Sequence, residues 1–298
     1  MRDLRPLLPI LAFVLLCLIW SSTWMVLKLG LLTTPPFLAA ALRFFFAFLL
    51  LTIVMIFYRV PYPRGIRIHG YFIGFGLANF TGGYAFVYWG QQFIPSGLGS
   101  ILFSVMPFYV MILSIWFLPQ ETINWKKGAG IMLGFVGLLI IFWERIRFEG
   151  VDYLVILGML AVVLAPLFSS TGTIMGKRAR QTMAPLALVT LPMFYASVML
   201  FILSLIFEGE MHAVWNFSAV FSLVYLTTVG TALAFSLYFW MLKNTSAVLM
   251  SMITFITPPL ALIWGALLLN EPVTPFLLIG MVLIFGGIFL VRQGGKAA

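Results

Sequence analysis

Residues 121–137 read ETINWKKGAGIMLGFVG, and residues 271–287 read EPVTPFLLIGMVLIFGG. Glu121 aligns with Glu271, Gly130 with Gly280, Leu133 with Leu283, Phe135 with Phe285 and Gly137 with Gly287. The copies lie 150 positions apart in a chain of 298, so the repeat unit is half the chain. In a membrane protein, a half-length repeat points to a transporter built from two related halves.

Composition makes this a membrane protein. Apolar residues are 63% of the chain and charged residues 8%, too little charge to cover a water-soluble surface of this size. The apolar runs approach the ~20 residues a helix needs to cross a bilayer, and they do not alternate as barrel strands would. Arg2 and Arg5 precede the first run like a signal peptide. No small-residue cleavage site follows it, so it reads as a retained span. Cys17 is the only cysteine, which leaves no internal disulfide.

Ten spans are expected, at 7–28, 35–58, 69–91, 95–118, 127–143, 153–176, 184–207, 216–241, 247–269 and 274–291. With the N-terminus in the cytoplasm, basic residues such as Arg59, Arg64, Arg67, Lys126, Lys127, Lys177, Arg178 and Lys243 fall inside. Only Lys28, Arg145 and Arg147 fall outside, a positive-inside bias. The net charge of +9 is therefore a topology signal and no sign of nucleic-acid binding. Ten spans in two halves give five per half. An odd number turns the second half upside down, so the expected fold is all-α and polytopic, a 5+5 inverted repeat with both termini cytoplasmic. The halves are 1–148 and 149–298, joined in one integrated membrane domain.

Ionisable groups inside the spans are few, and each costs at least ~2.5 kcal/mol on insertion scales. Arg43 is the deepest. Its favoured reading is structural, snorkelling to the surface or bonding backbone carbonyls; contact with a substrate carboxylate is the alternative. Lys28 reads as an interface anchor. No Asp or Glu lies near mid-span. That argues against a proton/cation antiporter and for a facilitator or a carrier of zwitterionic or neutral solutes.

Polar and aromatic residues are the cavity candidates: Trp20, Ser22 and Trp24 in span 1; Asn79, Tyr84 and Tyr88 in span 3; Ser169 in span 6; Thr231 and Tyr238 in span 8. Spans 1 and 6, and 3 and 8, correspond between halves, which fits a site at the repeat interface. For any single Ser or Thr, interhelical hydrogen bonding is the simpler explanation. Trp20 with Trp24, and Tyr84 with Tyr88, are spaced i, i+4 and share a helix face. Pro107 in span 4 and Pro258 in span 9 precede Glu121 and Glu271 at nearly the same distance and read as hinges or as static kinks. Gly130, Gly134, Gly137, Gly280 and Gly287 allow close helix packing, internal by default, with a dimer contact left open.

These residues resemble a known family. The run Ile19-Trp20-Ser21-Ser22-Thr23-Trp24 leading to Lys28 is similar to the opening of EamA-type members of the drug/metabolite transporter superfamily. So are a proline-rich start to span 2 followed by Leu42-Arg43-Phe44, and the segment from Pro258 to Leu267-Leu268-Leu269-Asn270-Glu271. The chain looks most like the YddG-type amino-acid exporters of bacterial inner membranes. The resemblance implies ten helices, a central cavity from spans 1, 3, 4, 6, 8 and 9, and export of amino acids and related metabolites. Leu118-Pro119-Gln120-Glu121 departs from the pattern by one extra residue and a proline.

The expectation is thus an inner-membrane exporter of small amphiphilic metabolites, amino acids including aromatic ones among them. It would work by alternating access, with no cofactor and no metal, in contact with lipid, as a monomer with a dimer left open. Multidrug efflux of neutral or cationic drugs is the alternative. An intramembrane enzyme is a distant one, because neither His69 nor His212 lies at mid-span to serve a nucleophile.

Overall fold

The computed structural model describes residues 8–142, 152–179, 183–209, 211–269 and 275–295. The apolar runs become helices in chain order. The first half gives α1 (Leu8–Leu31), α2 (Pro36–Phe57), α3 (Ile66–Phe75), α4 (Gly83–Gln91), α5 (Ser96–Phe103), α6 (Met106–Phe117) and α7 (Trp125–Phe142). The second gives α8 (Tyr153–Ala179), α9 (Pro185–Phe207), α10 (Phe217–Thr227), α11 (Ala234–Leu242), α12 (Ala247–Ser251), α13 (Ile253–Leu269) and α14 (Pro275–Gly294). No strand occurs among the described residues.

Among the described residues six stretches are long and apolar enough to cross a bilayer: α1, α2, α5–α6, α8, α9 and α10–α11. Large apolar side chains also face outward around the bundle, among them Ile53, Phe207, Val282 and Trp116, the last 77% exposed. A surface this apolar suits lipid rather than water. This is a multi-pass membrane protein.

Four runs expected as continuous helices are interrupted. Between α3 and α4 lies a π-helical segment, Gly76–Gly82; between α10 and α11 lies another, Thr228–Leu233. Such widened turns often mark functional sites. α5 gives way to α6 at Ser104 and Val105, and α12 to α13 at Met252. Pro107 lies in the first turn of α6, where its missing N–H costs nothing. Pro258 instead lies inside α13, so the second break precedes its proline by six positions and the two breaks are not at matching distances from their prolines.

Helix direction follows from contacts. α8 runs antiparallel to the α3–α4 rod: Gly158 abuts Gly90, Ser169 abuts Gly83, and Gly172 meets Asn79 closely enough that a Cβ there would collide with it. The end holding the α1–α2 turn is called the upper end. There the Glu208 carboxylate accepts the Phe37 N–H at 2.6 Å and the Leu38 N–H at 2.9 Å, satisfying two of the orphan donors that open α2. Lys28 Nζ is also there, donating to the carbonyls of Gln91 (2.7 Å), Gln92 (2.9 Å) and Ile94 (3.1 Å). It caps the end of α4. At the lower end Lys177 Nζ donates to the carbonyls of Leu242 (2.8 Å) and Thr245 and lies 3.8 Å from Glu121, which accepts the Ala247 N–H at 2.7 Å.

The stretch 121–137 supplies most of α7, and α14 packs against it. A Cβ on Gly130 would sit 2.5 Å from the Gly287 carbonyl oxygen, and one on Gly137 would sit 2.6 Å from that of Gly280. The glycines of the two copies thus face each other inside one molecule. Glu271 lies outside the described residues.

Candidate functional site

A central cavity of about 100 Å³ lies between α1, α2, the α3–α4 and α10–α11 rods, α5, α8, α12 and α13. On this measure one water needs ~10–15 Å³, so the space holds several waters or a small solute. Its walls are mostly apolar with a few polar groups, the usual make-up of a small-molecule site.

An aromatic wall is continuous along one side. Trp20 meets Phe235 edge-on at 5.6 Å between ring centres and Tyr238 at 5.4 Å. Phe235 approaches Tyr84 at 6.2 Å. Trp24 packs on Phe103 at 5.6 Å. Rings in such contacts hold one another in place at low entropic cost.

Arg43 ends this wall. It is 2% exposed, and its guanidinium carbon lies 4.8 Å from the Tyr84 ring centre. Nε donates to Thr231 Oγ1 at 2.5 Å, Nη1 to Tyr88 Oη at 3.3 Å and Nη2 to the Gly230 carbonyl at 3.3 Å. The side chain therefore points into the protein and does not snorkel. Its partners Gly230 and Thr231 belong to the second π-helical segment. A small chamber of about 20 Å³, lined by Leu31, Thr34 and Trp215, lies on the upper side. Arg43 and Leu27 line both spaces.

Asn79, on the first π-helical segment, faces the cavity, and its buried Nδ2 has no hydrogen-bond partner among the described residues. Thr173 and Tyr238 hydroxyls lie 3.0 Å apart. Most other cavity hydroxyls donate to nearby backbone: Ser100 to Gly97 (2.7 Å), Ser251 to Val248 (2.7 Å) and Thr254 to Ser251 (2.9 Å).

Of the residues singled out from the sequence, Trp20, Trp24, Arg43, Asn79, Tyr84, Ser169 and Tyr238 line the central cavity. Tyr88 lines the upper chamber, and Thr231 reaches the site through Arg43. Ser22 turns away, with Oγ 2.7 Å from Tyr225 Oη. Pro107 and Pro258 stand one residue from the wall, beside Met106 and Thr257. Sequence reasoning missed Phe103, Ser100, Phe235, Ser251 and Thr254. Most of these sit in the segments just ahead of Pro107 and Pro258, a signal that was visible. No cluster of potential metal ligands occurs among the described residues.

The model of the EamA-like transporter family matches this chain twice, at residues 7–143 and 156–293. The uncharacterized transporter YoaV of Bacillus subtilis is 30% identical over 280 residues, 94% of this chain and 95% of that protein. A probable amino-acid metabolite efflux pump of Salmonella typhimurium is 28% identical over 93% of this chain and 92% of that one. One solved crystal structure superposes with a TM-score of 0.78 at 19% identity, covering 96% of each chain, a likeness of fold alone.

Proposed function

The chain belongs to the EamA-like transporter family, and from that premise we propose that it exports small amphiphilic metabolites, amino acids including aromatic ones, across a bacterial inner membrane. The observation that carries this reading is the central cavity, where an aromatic wall runs from Trp20 to Tyr84 and ends at the buried Arg43. The wall suits an apolar side chain. The guanidinium suits a carboxylate, which it can take in a two-point hydrogen bond. The name of the Salmonella relative, a probable amino-acid metabolite efflux pump, points the same way.

The mechanism is alternating access by two inverted five-span halves, 1–148 and 149–298, with ten spans in all. Support comes from the two family matches, one per half, and from the π-helical segments, which occur once in each half and both border the site. The upper end is then the outside and the lower end the cytoplasm, as the basic residues require. The breaks ahead of Pro107 and inside the α12–α13 run are the hinges. The glycines of α7 and α14 are occupied by each other, which favours a monomer.

Counterflow in proteoliposomes tests the reading. Purified protein should exchange labelled amino acids, phenylalanine and leucine among them. Failure across a broad amino-acid panel overturns it.

A further inference from the structure

The charge balance at Arg43 narrows the cargo beyond the reading above, on which this inference rests. The guanidinium is nearly sealed from solvent. Its partners among the described residues are neutral: two hydroxyls, one carbonyl and two aromatic rings. Among the described residues no carboxylate reaches it. Glu121 and Glu208 are held at helix starts by backbone N–H groups, and Asp152 stands at the start of α8, 3.4 Å from the Leu154 N–H. The cavity is thus walled by neutral groups around one cation.

A buried charge without a counter-charge is costly. A monoanion entering the cavity removes that cost and leaves the loaded site neutral. A zwitterion leaves it positive. Its ammonium group finds hydroxyl lone pairs and ring faces on Ser100, Ser251, Thr254 and Trp20, none of them formally charged. An amine without a carboxylate adds a second positive charge beside the first.

We infer that the favoured cargo is an aromatic or branched aliphatic monocarboxylate lacking an amino group, carried alone, so that each turnover moves one negative charge. A negative-inside membrane potential then drives export directly. At 100 mV it is worth ~2.3 kcal/mol per charge, about a 50-fold gradient. No proton-coupling carboxylate is needed, which accounts for a transport site without one among its described residues.

The test uses the full-length protein in liposomes with the potential set by potassium and valinomycin, and protein-free vesicles as the blank. Labelled phenylalanine, 3-phenylpropionate and 2-phenylethylamine share a ring and differ in charge. The expected result is 3-phenylpropionate transport about 10-fold faster than phenylalanine transport, little transport of the amine, and a large change in 3-phenylpropionate rate when the potential is reversed. Arg43→Lys should keep the response to potential, and Arg43→Gln should lose the preference for the anion. If phenylalanine is carried and 3-phenylpropionate is slower or indifferent to potential, this inference fails and the transport reading stands. If no compound exceeds the blank, both fail. Where Arg43→Gln does not fold, the wild-type comparison alone decides.

Discussion

Ser104 Oγ donates a 2.6 Å hydrogen bond to the carbonyl of Thr254. In an unbroken helix the N–H of residue 258 would serve that carbonyl, but residue 258 is proline. The break between α5 and α6 thus repairs the defect that Pro258 makes in α13. This joins the two candidate hinges directly, because Ser104 stands three positions before Pro107 and Thr254 lines the cavity.

Ser104→Ala should lower the thermal stability of the detergent-solubilised protein by about 1 kcal/mol, the upper range for hydrogen bonds between membrane helices. In the Ser104→Ala background, Pro258→Ala should restore part of the loss, since alanine returns the missing N–H to Thr254. Melting curves of the two single variants and the double variant form the cycle. Strict additivity would show that the bond does not compensate the proline.

Trp24→Ala and Tyr84→Ala should cut transport severalfold with expression unchanged, because each removes a ring from the cavity wall. Ser22→Ala should transport normally, since Ser22 bonds Tyr225 away from the cavity. Rates normalised to folded protein in the membrane separate these outcomes. Equal losses in all three would remove the cavity as the transport site.

Gly137→Val should destabilise the α7–α14 pair by ~1–3 kcal/mol, the cost of overpacking, because its Cβ would press on the Gly280 carbonyl. Fluorescence-detected size exclusion should show less monodisperse protein. Transport per folded molecule should stay near wild type, as this pair lines no part of the cavity.

Glu208→Gln should lower stability by about 1 kcal/mol. The carboxylate serves both Phe37 N–H and Leu38 N–H, whereas an amide offers one acceptor oxygen and a misplaced NH₂. A melting temperature equal to wild type would show that water serves the start of α2 as well as Glu208 does.

Much of the fold was legible in the sequence because hydrocarbon permits so few solutions. A run of ~20 apolar residues in lipid must become a helix, since every backbone polar group must find its partner within the segment. The faces of α7 and α14 were also legible: only glycine lets two backbones approach that closely, and glycine is visible in one letter.

The candidate site was legible only in part. Trp20, Trp24, Tyr84 and Tyr238 announced themselves as aromatic residues among polar ones within apolar spans. For Arg43 the sequence leaves open snorkelling outward, bonding backbone carbonyls or meeting a substrate carboxylate, because it lies only about two turns into its helix. Which way it turned depended on Thr231 and Gly230, more than 180 positions away, on a π-helical segment that no local pattern encodes. Ser104 and Thr254 likewise owe their pairing to residues 150 apart.

The sequence by itself determined membrane residence, the apolar spans and the half-length repeat, all consequences of local hydropathy and small-residue spacing. Only the tertiary structure decided where the breaks fall, which polar side chains meet and that the buried cation faces a cavity. Those depend on partners distant in the chain, and a hydrogen bond between distant residues leaves no trace in the spacing of either one.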